Sequence, residues 1–286
     1  MSGPASQRSL TSAGFVAEPR PARDLVLAAV LIVGLSRFVD GPAAWLVALA
    51  ALLAIGFGTI EVLAAGDPRS GSTGGVPIEH VIAPAATVVA AVGVVRLAPV
   101  GVVFFVALAA TAWLLNRIVA TESRVLTSPG GATQTDRSAI LVELLIVGFL
   151  GFTGVAALVP GGLVEPGGGG PGLAGGDLAL LALADGAIAF LLGYRASALR
   201  TTRLREVALA ATTSGAAITI AAIAIRAMAA PRFAGPALLA LVLFLWNSIH
   251  EAPAGRRRTA RSLWEIALLV LLGIVVIAWG LQLRGS

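Results

Sequence analysis

Asp185, in the stretch LALADGAIAF (181–190), is the residue of this chain best placed to do chemistry. It stands close to the middle of a long apolar run, where an ionised carboxylate is costly unless it is paired or protonated. Two uses fit that position. One is a proton or cation site inside a membrane. The other is a hydrogen bond to a neighbouring helix, for which Thr212, Thr213, Ser214, Thr111 and Asn247 supply partners.

Four other groupings carry chemically useful side chains. Arg37, Arg96 and Arg232 recur in short turns, SRFVDGP, VRLAP and PRFAGP, between apolar runs. A guanidinium there can bind an anion or a lipid phosphate, or cap the end of the preceding helix. Glu79–His80 and His250–Glu251 are two acid–histidine pairs expected at one membrane surface, where they form either a metal site or solvated helix ends. Asp185 and Asp40 each open a D-G-x-x-A fragment, which resembles part of the motif of the CDP-alcohol phosphatidyltransferases. That motif needs further aspartates and an Arg where Trp45 stands, so the resemblance is set aside. TTSG (212–215) with His250 resembles a rhomboid Ser–His pair, but Thr212 replaces the glycine that the pattern requires. No catalytic, metal or cofactor-binding residue is assigned.

The elements that must position these groups are membrane helices. Hydrophobic residues make up 57% of the 286 and charged residues only 12%, about half the share of a soluble domain. Mean hydropathy is +0.93. Apolar residues come in long runs rather than in a one-sided stripe, as for helices whose neighbours are lipid or other helices. The expected fold is an all-α, polytopic transmembrane bundle of about nine spans, arranged as up-and-down helical hairpins. The spans are placed at 25–40, 42–64, 79–97, 99–118, 139–159, 178–195, 206–227, 233–250 and 263–283, with eight as the alternative count. Residues 1–23 read as a disordered tail and 24–286 as a single transmembrane domain.

All twenty basic residues are arginine. With the N-terminus inside, fifteen fall on the inner side and five outside (Arg37, Arg96, Arg226, Arg232 and Arg284). That is the positive-inside pattern. The five Trp residues are expected near span ends. At the inner ends, Asp24, Glu79, Glu143, Glu206 and Glu265 are read as acids opening the ascending helices, where the dipole favours them. The excess of Ala, Gly, Arg and Pro matches a GC-rich prokaryote. The expected location is therefore the prokaryotic cell (inner) membrane, with the N-terminus cytoplasmic and the C-terminus outside.

Composition also narrows the function classes. The pI of about 11.3 reports membrane orientation, so no nucleic-acid partner is expected. Zero Cys excludes disulfides, thiolate metal sites and cysteine nucleophiles. The Gly-rich stretch between 160 and 177 lacks G-K-[ST], so it is no nucleotide loop. The partners are the lipid bilayer and a membrane protein or a second copy of the chain. A small permease or exporter using Asp185 ranks first, a non-catalytic subunit or scaffold second. An enzyme acting on lipid-linked substrates ranks third.

Overall fold

The computed structural model describes residues 20–66, 75–128, 130–163, 175–227 and 232–251. Among them are eight α-helices and no strand. They are α1 (Arg20–Ser36), α2 (Ala43–Gly66), α3 (Glu79–Val94), α4 (Val102–Thr127), α5 (Gln134–Leu158), α6 (Gly175–Ala198), α7 (Leu204–Ala227) and α8 (Ala234–Glu251). A short 3-10 turn, Val95–Leu97, extends α3. Six helices, α2 to α7, are long and apolar enough to cross a membrane, and α1 and α8 are shorter. The chain is a helical membrane bundle. The expected ninth span, 263–283, lies outside the described residues.

Cross-helix ties give the relative directions of α1, α3, α4, α5 and α6. Arg96, at the end of α3, binds carbonyls at the end of α1, and Gly93 meets Gly154 near the end of α5. His80, at the start of α3, meets Glu122 near the end of α4 and, through it, Arg195 near the end of α6. These helices therefore run up or down between an Arg96 end and a His80 end.

Helix α3 is the centre of the bundle. It touches α1, α2, α4, α5 and α6. In its most apolar window 72% of residues are buried, against 22% for α4 at the periphery. Its sequence explains the position, since after His80 it is almost entirely Ala, Val, Gly and Thr. Small side chains let backbones approach closely, which is how helices associate where lipid removes the hydrophobic drive. At Gly93 an added Cβ would overlap the backbone of Gly154, and at Gly154 it would lie 2.5 Å from the carbonyl of Ala90. The α6–α7 seam is built alike, with Gly186 and Gly215 facing each other and Gly193 against Ser214.

Several helix ends differ from the sequence expectation. Helix α1 begins at Arg20, inside the stretch assigned to the tail, and stops at Ser36 rather than at 40. Helix α4 continues nine residues past 118, to Thr127. Trp113 is consequently mid-helix rather than near a helix end. Glu143 lies well inside α5, not at its opening. The acid of the first turn is Asp136, which forms a capping box with Thr133: the Thr hydroxyl accepts from the Asp136 amide and the carboxylate accepts from the Thr133 amide.

Candidate functional site

The buried face of each central helix carries a charged residue on its apolar stripe. In α4 the stripe is Leu114, Leu115, Ile118, Val119, Glu122 and Val125. In α5 it includes Ile140, Glu143, Leu144 and Val147. In α6 it runs Leu181, Ala182, Asp185, Ile188, Ala189, Leu192 and Arg195. The helical period therefore places these charges inside, and each must find a partner or remain unsatisfied.

At the His80 end they find partners. Arg195 Nε donates to Glu122 Oε1 (2.9 Å) and Nη2 donates to Oε2 (2.5 Å), a bidentate clasp between side chains 2% and 1% exposed. His80 Nδ1 lies 2.8 Å from the same Oε2. Since Glu122 accepts from Arg195 as a carboxylate, the imidazole nitrogen is the donor. One turn away Glu143, also buried, accepts from Arg117 Nε (3.0 Å) and from the Thr121 hydroxyl (3.2 Å). The Arg117 guanidinium is half-exposed and stacks 5.6 Å from the centre of the Trp113 ring. The cluster joins α3, α4, α5 and α6, and its central carboxylate is saturated with donors. It suits holding helices rather than attacking a substrate.

Asp185 is the opposite case. It is 0% exposed, and neither carboxylate oxygen has a hydrogen-bond partner among the described residues. The hydroxyls expected to serve it bond within their own helices: Thr212 to Ala208 O, Thr213 to Ala210 O and Thr111 to Ala107 O. Ser214 Oγ is buried and unpartnered as well. The cation whose field reaches Asp185 is Arg226, in the last turn of α7. Its Nη1 donates to Gly162 O (2.5 Å), while its Nε and Nη2 are buried without a hydrogen-bond acceptor. Asp185 therefore lies in the packed interior, on the α6 stripe that includes Ile188 and Leu192, which pack against α5.

No protein-family model, curated protein or solved structure matches this chain. The site must be read from its own geometry.

The other sequence candidates separate. Arg96 Nη1 donates to Ser36 O (3.0 Å) and Val39 O (2.6 Å), and its Nη2 donates to Asp40 (2.9 Å). It thus caps the end of α1 rather than that of its own helix. Arg37 has a buried Nε without a hydrogen-bond partner, and the Arg232 guanidinium lies 5.5 Å from the centre of the Phe233 ring. His80 pairs with Glu122, and among the described residues no group of three or more His, Asp or Glu could hold a metal. The side chains of His250 and Glu251 lie outside the described residues, as does most of the Gly-rich stretch. Glu122, Glu143, Arg195 and Arg226 were not singled out as site residues from sequence. The signal that would have found the first three is their place on the apolar stripe.

Proposed function

We propose that the chain is a proton-coupled transport protein of a prokaryotic cell membrane, with Asp185 as the proton-binding group. The observation that carries this reading is a carboxylate 0% exposed with two unpartnered oxygens, midway along a membrane helix. A carboxylate kept only for structure would be hydrogen-bonded, because an unsatisfied buried polar group costs free energy and gives nothing back. Intramembrane carboxylates commonly mark ion pathways and proton relays. The packing favours a proton over other cations. A metal ion needs several oxygens at bonding distance, whereas a proton adds no volume to a packed interior. Arg226, with two idle nitrogens in the same field, is suited to balance the charge when the proton leaves.

In this reading nine spans leave the N-terminus in the cytoplasm and the C-terminus outside. Arg37, Arg96 and Arg232 lie at the outer rim, where Arg37 and Arg232 are in reach of lipid phosphate. The test uses proteoliposomes loaded with a pH-sensitive dye and a panel of small organic solutes. A solute that drives proton movement with the unaltered chain is expected to drive none with Asp185→Asn, at equal insertion. Unchanged proton movement in the variant overturns the mechanism.

A further inference from the structure

Proton binding at Asp185 leaves the His80–Glu122–Arg195 cluster without a part, yet it is the most heavily bonded set of buried charges among the described residues. Its place between two groups of helices gives it one. Helices α3 and α5 meet backbone to backbone at Gly93 and Gly154. Helices α6 and α7 meet in the same manner at Gly186 and Gly215, and again where Gly193 faces Ser214. Each pair is locked internally, since neither backbone can shift without collision.

Contact between the two pairs is of a different kind. Ile188 packs against Gly151 and Leu192 against Gly148, branched apolar side chains over glycine. Such contacts have no preferred direction and survive small sliding motions. Directional bonding appears at the two ends: Arg226 of α7 donates to Gly162 O just after α5, and at the His80 end Arg195 of α6 grips Glu122 of α4 and Glu122 holds His80 of α3. The first turn of α3 is also pliant. Pro84 has no amide to bond the carbonyl of His80, four residues earlier, so that turn is one helical bond short.

We infer that the Arg195–Glu122–His80 clasp is a latch, which holds the α6–α7 hairpin against α3 and α4 at the His80 end and whose release lets the hairpin swing away from the α3–α5 pair. Asp185 sits on the same hairpin, ten residues before Arg195 or about 15 Å along α6. Opening at the His80 end is thereby a route by which it gains water. As the inner gate of a transporter the latch rests on the proton-coupled reading. The movement itself is measured without any flux, so the two can fail separately.

The experiment exploits a chain with no cysteine. Nitroxide labels on Ala120→Cys, exposed on α4, and Leu204→Cys, exposed at the start of α7, report the spacing of the two parts by pulsed electron resonance in lipid nanodiscs. The unaltered latch is expected to give one narrow distance. Glu122→Gln removes the charge and Arg195→Lys removes the two-pronged fit. Each should add a population longer by about 5 Å, roughly one helical turn. Arg117→Gln, which breaks the neighbouring half-exposed pair, should leave the narrow distance intact. Should Glu122→Gln not fold, as judged by circular dichroism and gel filtration, Arg195→Lys decides alone. A single narrow distance in every folded latch variant overturns the latch, as does an equal shift with Arg117→Gln.

Discussion

Glu122 and Arg195 lie 73 residues apart in sequence and form a bidentate ion pair with both side chains almost wholly removed from solvent. Such a pair is worth little net against an apolar replacement, because desolvation of both charges offsets their attraction. Removing one member alone is expensive, since it strands the other. Arg195→Met is therefore expected to cost about 3–5 kcal/mol. The double variant Glu122→Leu with Arg195→Met should recover much of that loss. Unfolding titrations in mixed micelles check it. A double variant no more stable than Arg195→Met alone would show that the clasp itself stabilises the fold, and losses that simply add would show the two charges uncoupled.

Glycine contacts give a contrast that depends only on what gives way. A Cβ at Gly93 meets the backbone of Gly154, so two helices must separate. At Gly58 the added atom meets the Leu25 Cδ1 at 2.6 Å, the free end of a flexible side chain. Gly93→Ala is expected to destabilise by about 1–3 kcal/mol, the usual range for overpacking. Gly58→Ala should be near neutral, since a helix gains from Ala over Gly while Leu25 changes rotamer. Thermal scans of the two variants in the same detergent decide it. Equal losses would place the α3–α5 crossing less tightly than described.

How far the sequence reveals this arrangement depends on which physics each residue obeys. Long apolar runs place α2 to α7 correctly, because span length and hydropathy are local properties. Helix ends fail where charge is read as a boundary. Glu122 and Arg124 suggest a loop after 118, yet the stripe of Ile118, Val119, Glu122 and Val125 continues the buried face and α4 runs on. Glu143 is read as a first-turn acid for the same reason, while Thr133 and Asp136 hold the capping box. The position of Asp185 midway along a long apolar helix is legible from its neighbours alone. Its lack of a hydrogen-bond partner is not, since that depends on which way Thr111, Thr212 and Thr213 turn their hydroxyls. Pairings such as Glu122 with Arg195 and His80 join three helices and leave no local trace.

The turn at the Arg96 end separates a carbonyl clamp from a surface ion pair. Arg96 binds Ser36 O and Val39 O with one nitrogen and Asp40 with another, but Asp40 is 89% exposed. Exposed pairs contribute about 0–1 kcal/mol, so Asp40→Asn should be nearly silent. Arg96→Met leaves Val39 O without this donor and Ser36 O with only the Val39 amide, and is expected to cost about 1–3 kcal/mol. If Asp40→Asn is the more damaging change in unfolding titrations, the anion beside Arg96 matters more than the carbonyls.

The Trp113–Arg117 pair is expected to mark where α4 leaves the lipid. Trp113 is exposed on the outside of the bundle, and the Arg117 guanidinium stacks over its ring one turn later. An indole prefers the headgroup level, and an arginine there reaches lipid phosphate. Below this pair the outward residues of α4 are apolar, Phe105, Val106 and Ala109 among them; beyond it come Ala120 and Arg124. A cysteine reacts with maleimide as its thiolate, which forms in water and not in hydrocarbon. In membrane vesicles Ala120→Cys should label faster than Ala109→Cys, because apolar surroundings suppress the thiolate. Under the proposed orientation a membrane-impermeant reagent reaches position 120 from the cytoplasmic face. Fast labelling at 109 would move the boundary toward the start of α4. Labelling at 120 from the outside would reverse the orientation of the whole bundle.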